Sequence, residues 1–179
     1  MSLPRDAEPD LTDVGGIRIR ASHPQLRQVQ FEVLPTADPE SADNAMSLGL
    51  GVDRLGQWAV GIELTAQSED DSPVVFSIAY RVVLTVEPVG NSGPDIDSDT
   101  TLKEVSARLG PVILYPYVRE TLSSLSVKAG RKPLVLPVIN AGMAFDPGEV
   151  ELPPAPDVEP AAESVSPRTK KPRKKPKRS

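Results

Sequence analysis

His23 is the single histidine of this 179-residue chain, and there is no cysteine. Without thiols there is no disulfide, thiolate nucleophile or thiolate metal site. A histidine general base needs an orienting partner, and a zinc ion needs several ligands. His23 precedes Pro24 in a polar stretch and reads as a solvated loop residue. Glu69, Asp70 and Asp71 are consecutive carboxylates. Side chains one residue apart seldom converge on one ion or one bond, so these read as a solvated turn. The serines have no histidine or lysine partner at a suggestive spacing. Gly15-Gly16 and Gly49-x-Gly51 lack the rest of any nucleotide fingerprint. The residues supply no catalytic set, no metal site and no cofactor loop, and the chain reads as a non-enzyme.

What remains is charge and apolar surface. The net charge of −5 conceals two opposite parts. Residues 168–179 hold eight of the 20 basic residues and no acid, leaving 12 against 25 acidic ones in the rest of the chain. An acidic body repels phosphate, which argues against nucleic-acid binding by the folded part. The tail is a separate matter. Lys170, Lys171, Arg173, Lys174, Lys175, Lys177 and Arg178 could meet an anionic membrane or RNA, at about 1 kcal/mol per basic residue near a charged surface. Prolines and like charges predict that it is disordered. The opening MSLPRDAEPD lacks the basic start and apolar core of an export signal, and no apolar run approaches the roughly 20 residues of a membrane span. A cytoplasmic location is expected.

The elements are predominantly extended at first. Residues 1–16 read as a flexible N-terminal arm, being acidic with proline and glycine. Ile17 and Ile19 alternate with arginines, and Val29, Phe31 and Val33 alternate with polar residues. That is one half-buried strand, or two short ones interrupted at His23-Pro24. Met46, Leu48 and Leu50 make a weaker strand, Trp58 to Leu64 another, and Val74 to Val86 the longest. Short polar connections imply an antiparallel meander of four main strands. Thr101-x-x-Glu104 reads as a capping box for a short first helix. Gly110-Pro111 is expected to break it, and Pro116 to start a second helix carrying Val118, Leu122, Leu125 and Ala129 on one face. Lys128 and Gly130 suit that helix's C-terminal end. Leu134, Leu136 and Val138 alternate in extended chain, and Asp146-Pro147-Gly148 turns. The folded domain is expected at residues 17–146, with residues 147–179 a Pro- and acid-rich linker and the basic tail. Strands followed by helices make it α+β.

Residues 109–145 carry the most ordered signals, and they resemble the SecB family of export chaperones. The resemblance lies in Leu109-Gly110, Pro111, Ile113-Leu114-Tyr115, Pro116-Tyr117, Val118, Arg119-Glu120, Gly130, Pro133 and Pro137-Val138-Ile139-Asn140. Order and spacing agree over some thirty residues. Ile139-Asn140 replaces the family's Asn-Phe, Gly142 loosens the adjoining segment, and the long basic tail replaces a short polar or acidic end.

The resemblance implies a four-stranded antiparallel sheet with two C-terminal helices, assembled as a homotetramer (a dimer of dimers). It implies ATP-independent holding of unfolded chains in long apolar grooves: preproteins kept translocation-competent, or an aggregation-prone antitoxin of a toxin–antitoxin pair. Covering about 500 Å² of apolar surface at about 25 cal/mol/Å² gives ~12 kcal/mol gross, much of it cancelled by ordering the client. By position and apolarity the expected client-binding residues are Leu114, Tyr115, Tyr117, Leu134, Leu136, Ile139, Met143 and Phe145. Glu63, Glu69, Asp70 and Asp71 are the acidic candidates for docking the motor SecA. A rival reading makes the chain a non-chaperone adaptor, an acidic scaffold tethered to RNA or membrane by its tail.

Overall fold

The computed structural model describes residues 10–14, 17–35, 45–69, 72–89 and 97–155. Six strands form one antiparallel sheet: β1 (Asp10–Val14), β2 (Ile17–Ala21), β3 (Gln25–Val33), β4 (Met46–Gly56), β5 (Ala59–Ser68) and β6 (Val74–Pro88). They occupy only five positions side by side. β2 and β3 both pair with β6, β2 along residues 84–88 and β3 along residues 74–81. The two are a single row interrupted at Ser22–Pro24, the second of the two arrangements the sequence allows. β1 adds a row beyond β2, so part of the arm expected to be flexible is a paired strand, and the four-strand expectation falls short.

Period-2 alternation gives this sheet one oily face. Ile62 lies opposite Val82, Val60 opposite Leu84 and Leu50 opposite Leu64, so these side chains share a face. That face is buried with Ile19, Ala21, Phe76 and Ile78 under the single helix α1 (Ser98–Lys128). The other face is mixed, carrying Glu63, Thr65, Arg81 and Val83. There the Arg81 guanidinium lies over Gly61 and reaches the Asp53 carboxylate at 2.9 Å, linking β6 to β4 across β5.

One helix stands where two were expected. Its N-cap is Asp97, whose carboxylate accepts from the amides of Asp99 and Thr100. The Thr101–Glu104 box does not form. Thr101 donates to the Asp97 carbonyl, and Glu104 pairs with Arg108 at 2.9 Å one turn on. Gly110-Pro111 and Pro116 lie inside the helix. Leu102 and Val105 before them, and Leu114, Val118 and Leu122 after Gly110-Pro111, are all buried in the same core. Burial on both sides outweighs the hydrogen bonds the prolines remove. Gly110 permits close approach rather than a turn: a Cβ there would lie 2.7 Å from Ile62 Cγ2.

The helix ends as Lys128 and Gly130 forecast. Gly130 has φ +73°, its N–H bonds the Val127 carbonyl, and Arg131 N–H bonds the Ser126 carbonyl. That pair of bonds is the Schellman arrangement. The chain then returns beside α1. Leu134 N–H donates to the buried Ser126 hydroxyl at 2.9 Å, and the Tyr115 hydroxyl donates to the Pro137 carbonyl. Two short 3-10 turns come next, Ala141–Met143 and Pro147–Glu149. Packing continues past residue 146, where a linker was expected: Val150 is buried and Leu152 packs against the core.

Candidate client groove

Two elements far apart in sequence line an open recess with apolar side chains on both walls. β4 contributes Leu48, Leu50 and Val52 from its oily face, which extends past the cover of α1. The returning chain contributes Phe145, Val150 and Leu152. Between them runs a groove of about 570 Å³ whose rim carries Asp146, Glu149 and Glu151. Asp146 is also fixed locally, its carboxylate accepting from Gly148 N–H at 2.8 Å. Among the described residues β4 is an edge strand of the sheet.

The groove is lined by apolar side chains and three carboxylates. Its walls are aliphatic and aromatic, its charges sit at the lip, and no group of three or more potential metal ligands occurs among the described residues. Apolar walls with an acidic lip can bury the oily side chains of another polypeptide and attract its basic ones.

The eight residues expected to bind client are scattered by the fold. Leu114, Tyr115, Leu134 and Leu136 are buried, at 0%, 7%, 3% and 1% exposure, and serve the core instead of an open surface. The reason is geometric: alternation along the returning chain turns Leu134 and Leu136 inward and Val135 outward, and the alternation stops at Pro137, leaving Val138 exposed. Burial raises the pKa of Tyr115, with Arg119 opposing, so the phenol is neutral and donates to Pro137. Tyr117 lies on the other flank of α1, its ring centre 5.7 Å from that of Tyr80, beside a second depression with Thr121 and Leu125. Ile139 is half-buried and Met143 is exposed, both on the chain leading to Phe145. Of the eight, Phe145 alone lines the groove.

The groove residues that sequence reasoning misses are Leu48, Leu50, Val52, Val150 and Leu152. The alternation at Leu48 and Leu50 signals a strand and assigns it no site role. Val150 and Leu152 alternate with Glu149 and Glu151, a short strand-like signal that the surrounding prolines and acids obscure. Among the acidic candidates, Glu63 lies opposite Arg81 on the mixed face, and Glu69 donates its N–H to the Ala45 carbonyl at the end of β5. Asp70, Asp71 and the basic tail fall outside the described residues. His23 is exposed between β2 and β3.

No protein-family model matches the chain. Among characterised proteins it is similar to the protein-export protein SecB of Saccharophagus degradans, 32% identical over 117 residues. That alignment takes in 54% of this chain and 66% of the relative, so the chain spans just under two thirds of the relative's length. Among solved structures it is similar to the SecB-like chaperone of Mycobacterium tuberculosis, in complex with a ChAD peptide from the HigA1 antitoxin. The TM-score is 0.55 over 68% of this chain and 91% of that one, at 18% identity, a likeness of fold. The sequence match and the shared fold agree in likening this chain to the SecB-type chaperones.

Proposed function

We propose that this protein is an ATP-independent holdase, which shields apolar segments of unfolded polypeptides in the groove between β4 and residues 145–153. The observation that carries the proposal is the joining of Leu48, Leu50 and Val52 to Phe145, Val150 and Leu152 in one open apolar recess. Burial against such walls is non-directional and therefore tolerant of client sequence. Client ordering offsets much of the gain and keeps binding reversible.

The test is fluorescence anisotropy of a labelled, permanently unfolded peptide without nucleotide. Leu152→Asp, at a half-buried position of the groove lining, should weaken binding about tenfold or more, the scale of one lost apolar side-chain contact. Leu50→Ala should weaken it less and in the same direction. Unchanged affinity in both variants, with unaltered circular dichroism, would contradict the proposal.

On this reading the clients are precursors awaiting export in the cytoplasm. Glu63 and Glu69, with Asp70 and Asp71, offer acidic docking to SecA, and the assembly is a homotetramer. Exposed Leu26 and Val29 on β3 support an interface there, since each is 48% exposed. A second reading is favoured by the antitoxin peptide held by the mycobacterial relative: the same groove serves one dedicated client. A large preference for one peptide over unrelated unfolded ones would select it. The adaptor reading, with the tail on RNA or membrane, requires that unfolded peptides be ignored.

A further inference from the structure

The groove's rim is acidic and the chain's own tail is basic. The described chain ends at Ala155, directly after the segment that lines the groove. Arg168, where the run of eight basic residues begins, lies thirteen positions further along the chain. At about 3.4 Å per residue, that span cannot carry Arg168 more than about 44 Å from Ala155, and a coil average is nearer ~20 Å. The tail is therefore held near a groove bearing Asp146, Glu149 and Glu151, with lysines, arginines and two prolines to offer.

Resting on the holdase reading, we propose that residues 168–179 are an intramolecular occupant of this groove: they lie along its acidic rim over Leu48, Leu50 and Leu152 and compete with clients. The tether supplies the strength. Individual exposed charge pairs are weak, yet a tethered segment acts at roughly millimolar effective concentration. Occupancy is then partial and easily displaced, which suits a site that must still accept clients. It also makes client capture depend on ionic strength, because salt screens the rim from the tail.

Two measurements on the full chain test this. As the protein has no cysteine, Ser179→Cys gives a unique site for a spin label. At low salt the label should broaden the methyl resonances of Leu50, Val52, Val150 and Leu152. The broadening should vanish when Lys170, Lys171, Lys174 and Lys175 are changed to Gln, when Glu149 and Glu151 are changed to Gln, or when the salt is raised to about 0.5 M, where screening is strong. Broadening that survives either set of substitutions overturns the proposal. So does a label drawn to phosphatidylglycerol vesicles that leaves these methyls sharp beforehand, which would make the tail's partner a membrane.

Without the label, the four-lysine variant should bind an uncharged unfolded peptide about two- to fivefold more tightly at low salt, the scale of a weak contact at millimolar effective concentration. The two-glutamate variant should match it, and the combination should add nothing further. Equal affinity of the native chain and both variants overturns competition. Failure of every form to bind the peptide sinks the holdase reading, whereas the spin-label result still decides where the tail lies.

Discussion

A methyl group added at Gly110 would sit 2.7 Å from Ile62 Cγ2 in the core, and one added at Gly61 would sit 2.9 Å from Arg81 Cζ. The consequences differ because the neighbours differ. Ile62 is fully buried between β4 and β6 and has nowhere to go. Gly110→Ala should therefore cost about 1–3 kcal/mol in urea unfolding, the range for overpacking a filled core. Arg81 is the end of a flexible side chain, paired with an Asp53 carboxylate that is largely exposed. Gly61→Ala should cost under about 1 kcal/mol, a displaced surface pair. Tyr115→Phe removes the donor to the Pro137 carbonyl while keeping the ring, and should cost about 1 kcal/mol in the same measurement. None of these roles is legible in the sequence. Gly110 followed by proline looks like a turn, and a tyrosine beside a proline looks equally like core or surface.

At the scale of elements, legibility tracks locality. The strand alternation, the interruption at His23-Pro24 and the Gly130 stop depend on neighbours in sequence, and all are readable there. The continuity of α1 through two prolines is not, because it is decided by packing of its two halves on one sheet. The cap is displaced similarly: Asp97 reaches the first amides of the helix, and the Thr101–Glu104 pattern lies one turn too late. The Asp97 carboxyl is held below the usual carboxylate range, first by the Thr100 hydroxyl and then by the amides of Asp99 and Thr100. A folded-state pKa below the unfolded one means a contribution present above pH ~4 and lost as pH falls through the lowered value. The melting temperature of Asp97→Ala should lie below that of the native chain near neutral pH. The gap should narrow as pH drops below about 4, the unfolded carboxyl's own range. A gap that stays constant far into acid would contradict the assignment of this cap.

At the scale of the whole molecule, the groove exists only because two distant segments meet. Leu48, Leu50 and Val52 signal a strand, and Phe145 ends a recognisable stretch. Nothing local places Val150 and Leu152 opposite β4. The client-binding candidates come from the segment richest in apolar signals, and richness in apolar residues marks the core first. Leu114, Leu134 and Leu136 are fully or almost fully buried for that reason. The fold class and the likeness to SecB-type chaperones are thus open to sequence reasoning, while the site needs the tertiary contact between strand and returning chain.

The central claim is that this groove shields unfolded chains without nucleotide. It is tested most directly by light scattering from a chemically unfolded client diluted into buffer, with the native protein or with Leu152→Asp. The account predicts that the native protein suppresses aggregation in the absence of ATP and that the variant, equally folded by circular dichroism, suppresses it poorly. Aggregation unaffected by the native protein, or suppressed equally by both, would contradict it.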